Sequence, residues 1–240
     1  MKNEPIKQFN MLQIILLHLL PGIPILLLAL FFSSPFIGIE FPFILSLFLA
    51  IAIGLVPTQL SILLFIAKHS RKEVKEIILN TKTTSIFQMV LWVFILLTIN
   101  GLAFAFIPQL EQPLRILFAW IPDWARLSIE AVKSQPELVW PTIILGLLMN
   151  GLLGPIVEEL YFRGFLLPRM GKLGRCAPAV NAALFSLYHL FSPWEFFTRI
   201  VAVLPYAYIV WRKKDLRIGI LVHCLGNTLG LIGTIAALLG

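Results

Sequence analysis

Residues 138–167 read LVWPTIILGLLMNGLLGPIVEELYFRGFLL. The run is longer than the roughly 20 apolar residues that a helix needs to cross a bilayer, so it is read as a membrane span. Its second half nevertheless holds Glu158, Glu159 and Arg163. An ionisable group at such depth costs at least about 2.5–3.5 kcal/mol on insertion scales, and it is kept where it pairs or lines a cavity. The stretch therefore argues at once for a helical membrane fold and for a polar site inside it.

Six further apolar runs surround it, at 11–32, 41–67, 86–107, 177–191, 195–211 and 218–239. Together they predict an all-α, polytopic transmembrane helical bundle of about seven to eight spans. Composition agrees, since 59% of the 240 residues are hydrophobic and 13% are charged, against roughly 45–50% and about 25% in soluble domains. That balance excludes a soluble globular protein and a disordered chain. Segment 108–137 is interrupted by Pro108, Pro113, Pro122 and Pro136, and its apolar stretch 114–121 is too short to cross. An interfacial or re-entrant piece is expected there, and an eighth span would have to come from it. The first run follows Lys2 and Lys7 but is too long for a signal peptide and lacks a small-residue cleavage site, so it is expected to stay in the mature protein. No Gly-rich phosphate loop, zinc framework or repeat of 20–50 residues is visible. The chain reads as a single membrane domain, 1–240, with a motif-bearing core at 138–239 and motif-free spans over 1–107. Cys176 and Cys224 are read as inert thiols.

The formal net charge of +7 is read as topology rather than as affinity for nucleic acid. Lys68, Arg71, Lys72, Lys75 and Lys82 follow the second run, Arg169, Lys172 and Arg175 the fourth, and Arg212, Lys213, Lys214 and Arg217 the sixth. Short loops rich in Lys and Arg stay cytoplasmic. The intervening connections 33–40 and 192–194 have no basic residue, and 108–137 balances three against four acidic ones. The N-terminus is therefore expected in the cytoplasm of a prokaryotic-type membrane, and seven spans put the C-terminus outside.

Further polar groups interrupt apolar sequence at His189, His223 and Asn227. Glu159 and Arg163 stand at i and i+4, as do His223 and Asn227, so each pair shares a helix face. At about 1.5 Å of rise per residue, Glu158, His189, His223 and Asn227 lie about 9–16 Å from the basic edges of their runs, one layer within error. A buried carboxylate beside a second one suits a general base that takes a proton from water. On this reading Glu158 is the base, His189 holds the water or passes its proton to a leaving amine, and His223 with Asn227 stabilises the oxyanion of a tetrahedral intermediate. No Ser, Cys or Lys stands as an obvious nucleophile, so water attack on an amide is the reaction these parts serve.

The run Glu158-Glu159-x-x-x-Arg163, then Phe185-x-x-x-His189, then His223-x-x-x-Asn227 resembles the three motifs of the CAAX protease and bacteriocin-processing (CPBP, or Abi) family, which includes the Ras-converting CAAX endoproteases. Order and spacing both agree over roughly residues 140–235. The resemblance implies an intramembrane endopeptidase, often of eight spans, acting on a peptide or membrane-associated protein, with an active site opening toward the cytosol. It implies water activation by Glu158 and His189, an oxyanion hole from His223 and Asn227, and supporting roles for Glu159 and Arg163. Members are also described as metalloproteases. A mechanism without metal is favoured because Asn is an unusual zinc ligand; under the alternative, zinc or another divalent ion would be held by Glu158, His189 and His223.

Other polar positions have plainer readings. His18, beside Pro21, Gly22 and Pro24, is expected to pack at a kink. Glu195 and Arg199, again at i and i+4, are expected to stabilise the outer end of the sixth span, and 68–82 to face anionic lipid. Two other functions compete with a peptidase. One is a non-proteolytic immunity factor or scaffold of the same fold, and the other a proton-coupled transporter, against which the halves show no matching broken spans.

Overall fold

The computed structural model describes residues 7–79 and 81–240; Lys2 lies outside them. Among the described residues all regular structure is helical. The long elements are α1 (Met11–Leu19), α2 (Gly22–Ser33), α3 (Phe43–Ala50), α4 (Val56–His69), α5 (Ile86–Phe106), α6 (Val139–Leu145), α7 (Gly154–Glu158), α8 (Ala177–Tyr188), α9 (Phe196–Lys213) and α10 (Leu216–Leu239). Wider π-helical turns fuse some of them: Ile51–Leu55 joins α3 to α4, Gly146–Leu153 joins α6 to α7, and Glu159–Leu166 extends α7. Large apolar side chains such as Leu27, Phe65, Phe94 and Ile232 are exposed on the outer faces. The bundle thus presents to its surroundings the apolar surface that lipid accommodates and water does not.

Among the described residues five stretches are long and apolar enough to cross a membrane: Met11–Ser33, Phe43–His69, Ile86–Leu117, Pro136–Tyr188 and Leu216–Leu239. The chain is accordingly an integral membrane protein. The fourth stretch is two arms, because Met170 and Gly174 leave helical geometry within Leu167–Cys176, Gly174 at φ +54. Its second arm, α8, corrects the expected span at 177–191. Twelve residues reach only about 18 Å, well short of the about 30 Å of a hydrocarbon core. The helix ends in a turn in which the His189 amide donates to the Ser186 carbonyl and the Ser192 amide to that of His189. Segment 108–137 is a series of short helices, none able to span.

Backbone and side-chain contacts gather the connections into two ends. At one, the Phe9 amide donates to Arg169 O (3.0 Å) and Leu79 N to Gly164 O (2.8 Å), while Thr84 N donates to Asp215 Oδ2 (3.1 Å) and Arg217 Nη2 to Thr84 O (2.9 Å). All the basic loops identified above meet here, as alternating topology requires. At the other end Gln135 Nε2 donates to Glu40 O (3.1 Å), and the buried carboxylate of Glu111 accepts from Thr198 N (2.8 Å) at the start of α9.

Asp215 is the clasp of the basic end. Burial raises its carboxyl, but hydrogen bonds from Arg217 and Thr84 outweigh that and hold it below the usual carboxylate range. A carboxyl depressed in the folded state contributes stability that is complete above its unfolded value and is lost as pH falls through the lowered folded value. Asp215→Asn should therefore release the 81–84 strand of the chain at neutral pH and cost about 1–3 kcal/mol. Amide exchange at Thr84 reads this directly, and unchanged protection would show that the carboxylate does not hold the loop.

Candidate active site

The centre of the bundle is the π-helical continuation of α7, in which Tyr161, Phe162, Arg163, Phe165 and Leu166 are all fully buried. Pro155 removes a backbone donor just upstream, and Gly154 lets the Phe43–His69 span approach, since a Cβ there would stand 3.2 Å from Ile51 Cγ2. Wide turns of this kind recur at functional sites because they re-aim side chains. Here the widened turn keeps Glu159 and Arg163 in contact.

Glu159 is the hub. Its Oε1 accepts from Arg163 Nη1 (2.9 Å), from His223 Nδ1 (3.0 Å) and from the Tyr206 hydroxyl (3.3 Å). Arg163 lies 4.2 Å from the centre of the Phe185 ring and 5.1 Å from that of Tyr206, so its charge is met by a carboxylate and two ring faces. Because a carboxylate only accepts, Glu159 fixes the proton of His223 on Nδ1. The other nitrogen, Nε2, then stands 3.7 Å from Glu158 Oε2. His223 thus sits between the two carboxylates, an arrangement the spacing of its own helix did not disclose.

His189 is the first residue past α8. Its Nδ1 lies 2.8 Å from the Phe185 carbonyl, which can only accept, so Nε2 is left as a lone pair. Phe185 packs edge-on against His189 and His223, at 4.8 and 5.9 Å between ring centres. Asn227 Nδ2 donates to Asn150 O (3.0 Å) in the π segment Gly146–Leu153; the amide keeps a second N–H.

Glu158, His189, His223 and Asn227 all line one cavity of about 530 Å³. The motif residues that support them, Glu159 and Arg163, lie beneath it and are fully buried. The remaining wall comes largely from the motif-free half, through Leu47, Phe48, Ile51, Leu55, Asn100 and Phe104. Among the described residues no group of three or more His, Cys, Asp or Glu side chains is placed to hold a metal ion. Glu158, His189 and His223 therefore do not form a ligand set in this arrangement.

Several contributors have no motif to announce them. The Tyr188 hydroxyl interacts with Glu158 and accepts from Gln59 Nε2 (3.3 Å); the signal was a lone amide and a lone phenol in apolar runs. His18 packs, as expected, with Nδ1 on Ile14 O and Nε2 accepting from Asn181 (2.7 and 3.0 Å). Arg199 binds Glu195 (2.8 Å) and Ser192 (2.7 Å), but both ends of that ion pair also line the cavity.

Gly219 supplies a test of the hub. A Cβ there would stand 2.7 Å from Glu159 Oε2 and 3.1 Å from Val210 Cγ2. Glycine to alanine inside a helix ordinarily stabilises by about 1 kcal/mol; here Gly219→Ala should instead destabilise by about 1–3 kcal/mol, because the carboxylate must leave its three donors. A rise in melting temperature would show that Glu159 is not seated against α10.

The lining of the cavity lies mostly on the side of Glu158 away from the basic loops. It runs outward from Glu158 and His223 to Ile44, Leu127, Ile129 and Thr234, whereas the basic side of Glu158 is filled by buried Tyr161, Phe162, Phe165 and Leu166. The spacing argument placed the polar layer at mid-depth, and depth alone does not say which half of the bundle is hollow.

Neither a curated protein nor a solved structure matches the chain. Residues 140–229 match the family model described as Type II CAAX prenyl endopeptidase Rce1-like. That match contains every motif position quoted above, and over this part the chain is similar to the Rce1-like CAAX endopeptidases.

Proposed function

We propose that the protein is an intramembrane endopeptidase that hydrolyses a peptide bond by water activated between Glu158 and His189. The observation that carries the reading is that Glu158, the lone-pair nitrogen of His189 and the spare amide N–H of Asn227 converge on one cavity. The family match supports a CAAX-type protease, and the cavity volume suits a few residues of extended peptide.

In this mechanism water binds between Glu158 and His189. Glu158 takes one proton as the water oxygen attacks the carbonyl carbon, and Asn227 donates to the developing oxyanion. Collapse breaks the C–N bond, and the proton held by Glu158 passes to the leaving nitrogen, directly or through His189. Glu159 and Arg163 hold His223 beside the base without touching substrate.

Comparing membrane peptidomes of cells carrying the wild type or Glu158→Gln tests the reading, since a cleavage boundary lost only in the variant identifies both activity and substrate. Identical peptidomes would count against a protease. Asn227→Ala should slow cleavage by about 10²–10³-fold, the effect of losing one oxyanion donor. If Asn227 served as a metal ligand instead, the variant would lose a stoichiometric ion, chelator would abolish wild-type cleavage, and elemental analysis would show both.

A further inference from the structure

We propose that a groove between α5 and α9 binds one anionic phospholipid, with its phosphate between Arg175 and Arg212 and an acyl chain laid along the two helices. The groove is separate from the catalytic cavity, and its occupant does not depend on what that cavity does.

Two helix faces build the groove. Trp92, Ile95, Leu96 and Ile99 stand at i, i+3, i+4 and i+7 on α5, and Leu204 and Tyr208 at i and i+4 on α9. Both spacings keep their side chains on one face. With Arg175 and Ala179 they border a volume of about 520 Å³. Ala179, the first groove residue within α8, offers only a methyl group. Pro205 lines the groove from inside α9 and, having no N–H, leaves that helix one hydrogen bond short at this level. The hollow is open sideways, because Ile95 and Tyr208 are 37% and 42% exposed.

The groove is polar at one end only. Helix α5 leaves the basic end at Ile86 and α9 returns to it at Lys213, so Trp92, Tyr208 and Arg175 lie toward the basic loops while Ile99 and Leu204 lie deeper. From Trp92 to Ile99 is about 10 Å along the helix, and that stretch is lined by hydrocarbon. Trp and Tyr at such a level are the side chains that sit at lipid headgroups. A ligand that fits has a polar head and an apolar tail.

Charge decides which head. Arg175 is exposed in the Leu167–Cys176 connection, and Arg212, also exposed, stands one turn beyond Tyr208 on the same face of α9. Neither makes an ion pair or hydrogen bond among the described residues, whereas Arg163, Arg199 and Arg217 are each paired with a carboxylate. Two free guanidinium groups above an apolar groove complement a phosphate ester, which arginine binds through paired N–H donors. Basic pockets between membrane helices take anionic headgroups on the same principle. The opposite face of α9 carries Val203 and Tyr206, which line the catalytic cavity, and Tyr206 donates to Glu159. The lipid therefore packs behind the helix that holds the hub.

The test uses the full chain, purified in detergent and stripped of lipid, with native mass spectrometry and thermal unfolding during titration with dioleoyl phosphatidylglycerol or dioleoyl phosphatidylcholine. One phosphatidylglycerol should be retained in preference to phosphatidylcholine, and the melting temperature should rise with its concentration, as for any ligand of the folded state. Arg175→Gln with Arg212→Gln should weaken phosphatidylglycerol about 25-fold, roughly fivefold for each cation, and leave phosphatidylcholine unchanged. Ala179→Phe, which places a ring in the groove, should weaken both lipids. The two arginines are exposed, so the Gln variant keeps the assay decisive if Ala179→Phe folds poorly. Equal retention of the two lipids by the wild type would reduce the groove to ordinary lipid contact and overturn the proposal, as would an undiminished preference in the Gln variant. Inorganic phosphate that stabilises as well as phosphatidylglycerol would make the arginines an anion site and remove the lipid.

Discussion

Purified Glu158→Gln protein is expected to keep its fold and to lose cleavage by about 10²–10⁴-fold, the usual contribution of a positioned general base. The amide has the shape of the carboxylate but cannot take a proton from water. Little else changes, because the nearest ring nitrogen, His223 Nε2, is 3.7 Å away, outside hydrogen-bond range, and Glu158 is only 5% exposed. A neutral amide is easier to bury there than an ion, so the melting temperature should stay level or rise. Initial rates and thermal unfolding on one preparation separate catalysis from folding. Full activity in the variant would remove Glu158 from the mechanism, and a collapsed melting temperature would make it structural.

The contrast between Glu158 and its neighbour shows what was legible in the sequence. Apolar run lengths gave the helical fold, and charged residues within a run pointed to the candidate site, because both depend on one segment at a time. The i, i+4 rule correctly paired Glu159 with Arg163, at 2.9 Å. It also placed His223 and Asn227 on one face, and both line the cavity. Spacing within one helix does not say which neighbouring helix that face meets. The bridging of His223 between two carboxylates, the seat for Glu159 against Gly219, and the Gln59–Tyr188 contact all arise between segments far apart in the chain. Gly22 is a similar case: a Cβ there would collide with the Tyr188 carbonyl oxygen, so a glycine in the first span decides how closely that span packs beside the catalytic turn. The half-length of α8 was hidden for another reason. Residues 189–192 are apolar enough to continue a span, and only the turn hydrogen bonds at His189 and Ser192 end it.

Arg163→Ala should cost about 3–5 kcal/mol of stability, the scale for removing one partner of a buried ion pair. Against the roughly 5–15 kcal/mol that separates folded from unfolded protein, this is a large share. Both members of the pair are fully buried, so after the substitution Glu159 keeps donors only from His223 and Tyr206. The guanidinium also fills the space between Phe185 and Tyr206, and its removal leaves a void whose cost adds to the unpaired charge. Two substitutions divide these contributions. Arg163→Met restores most of the volume without the charge, and Glu159→Gln combined with Arg163→Met removes the unpaired ion as well. If the ion pair dominates, the single Met variant stays destabilised and the double variant recovers, because an apolar replacement of both partners is often neutral or better. If packing dominates, Arg163→Met alone recovers. Full stability in Arg163→Ala would show that Glu159 does not depend on the arginine.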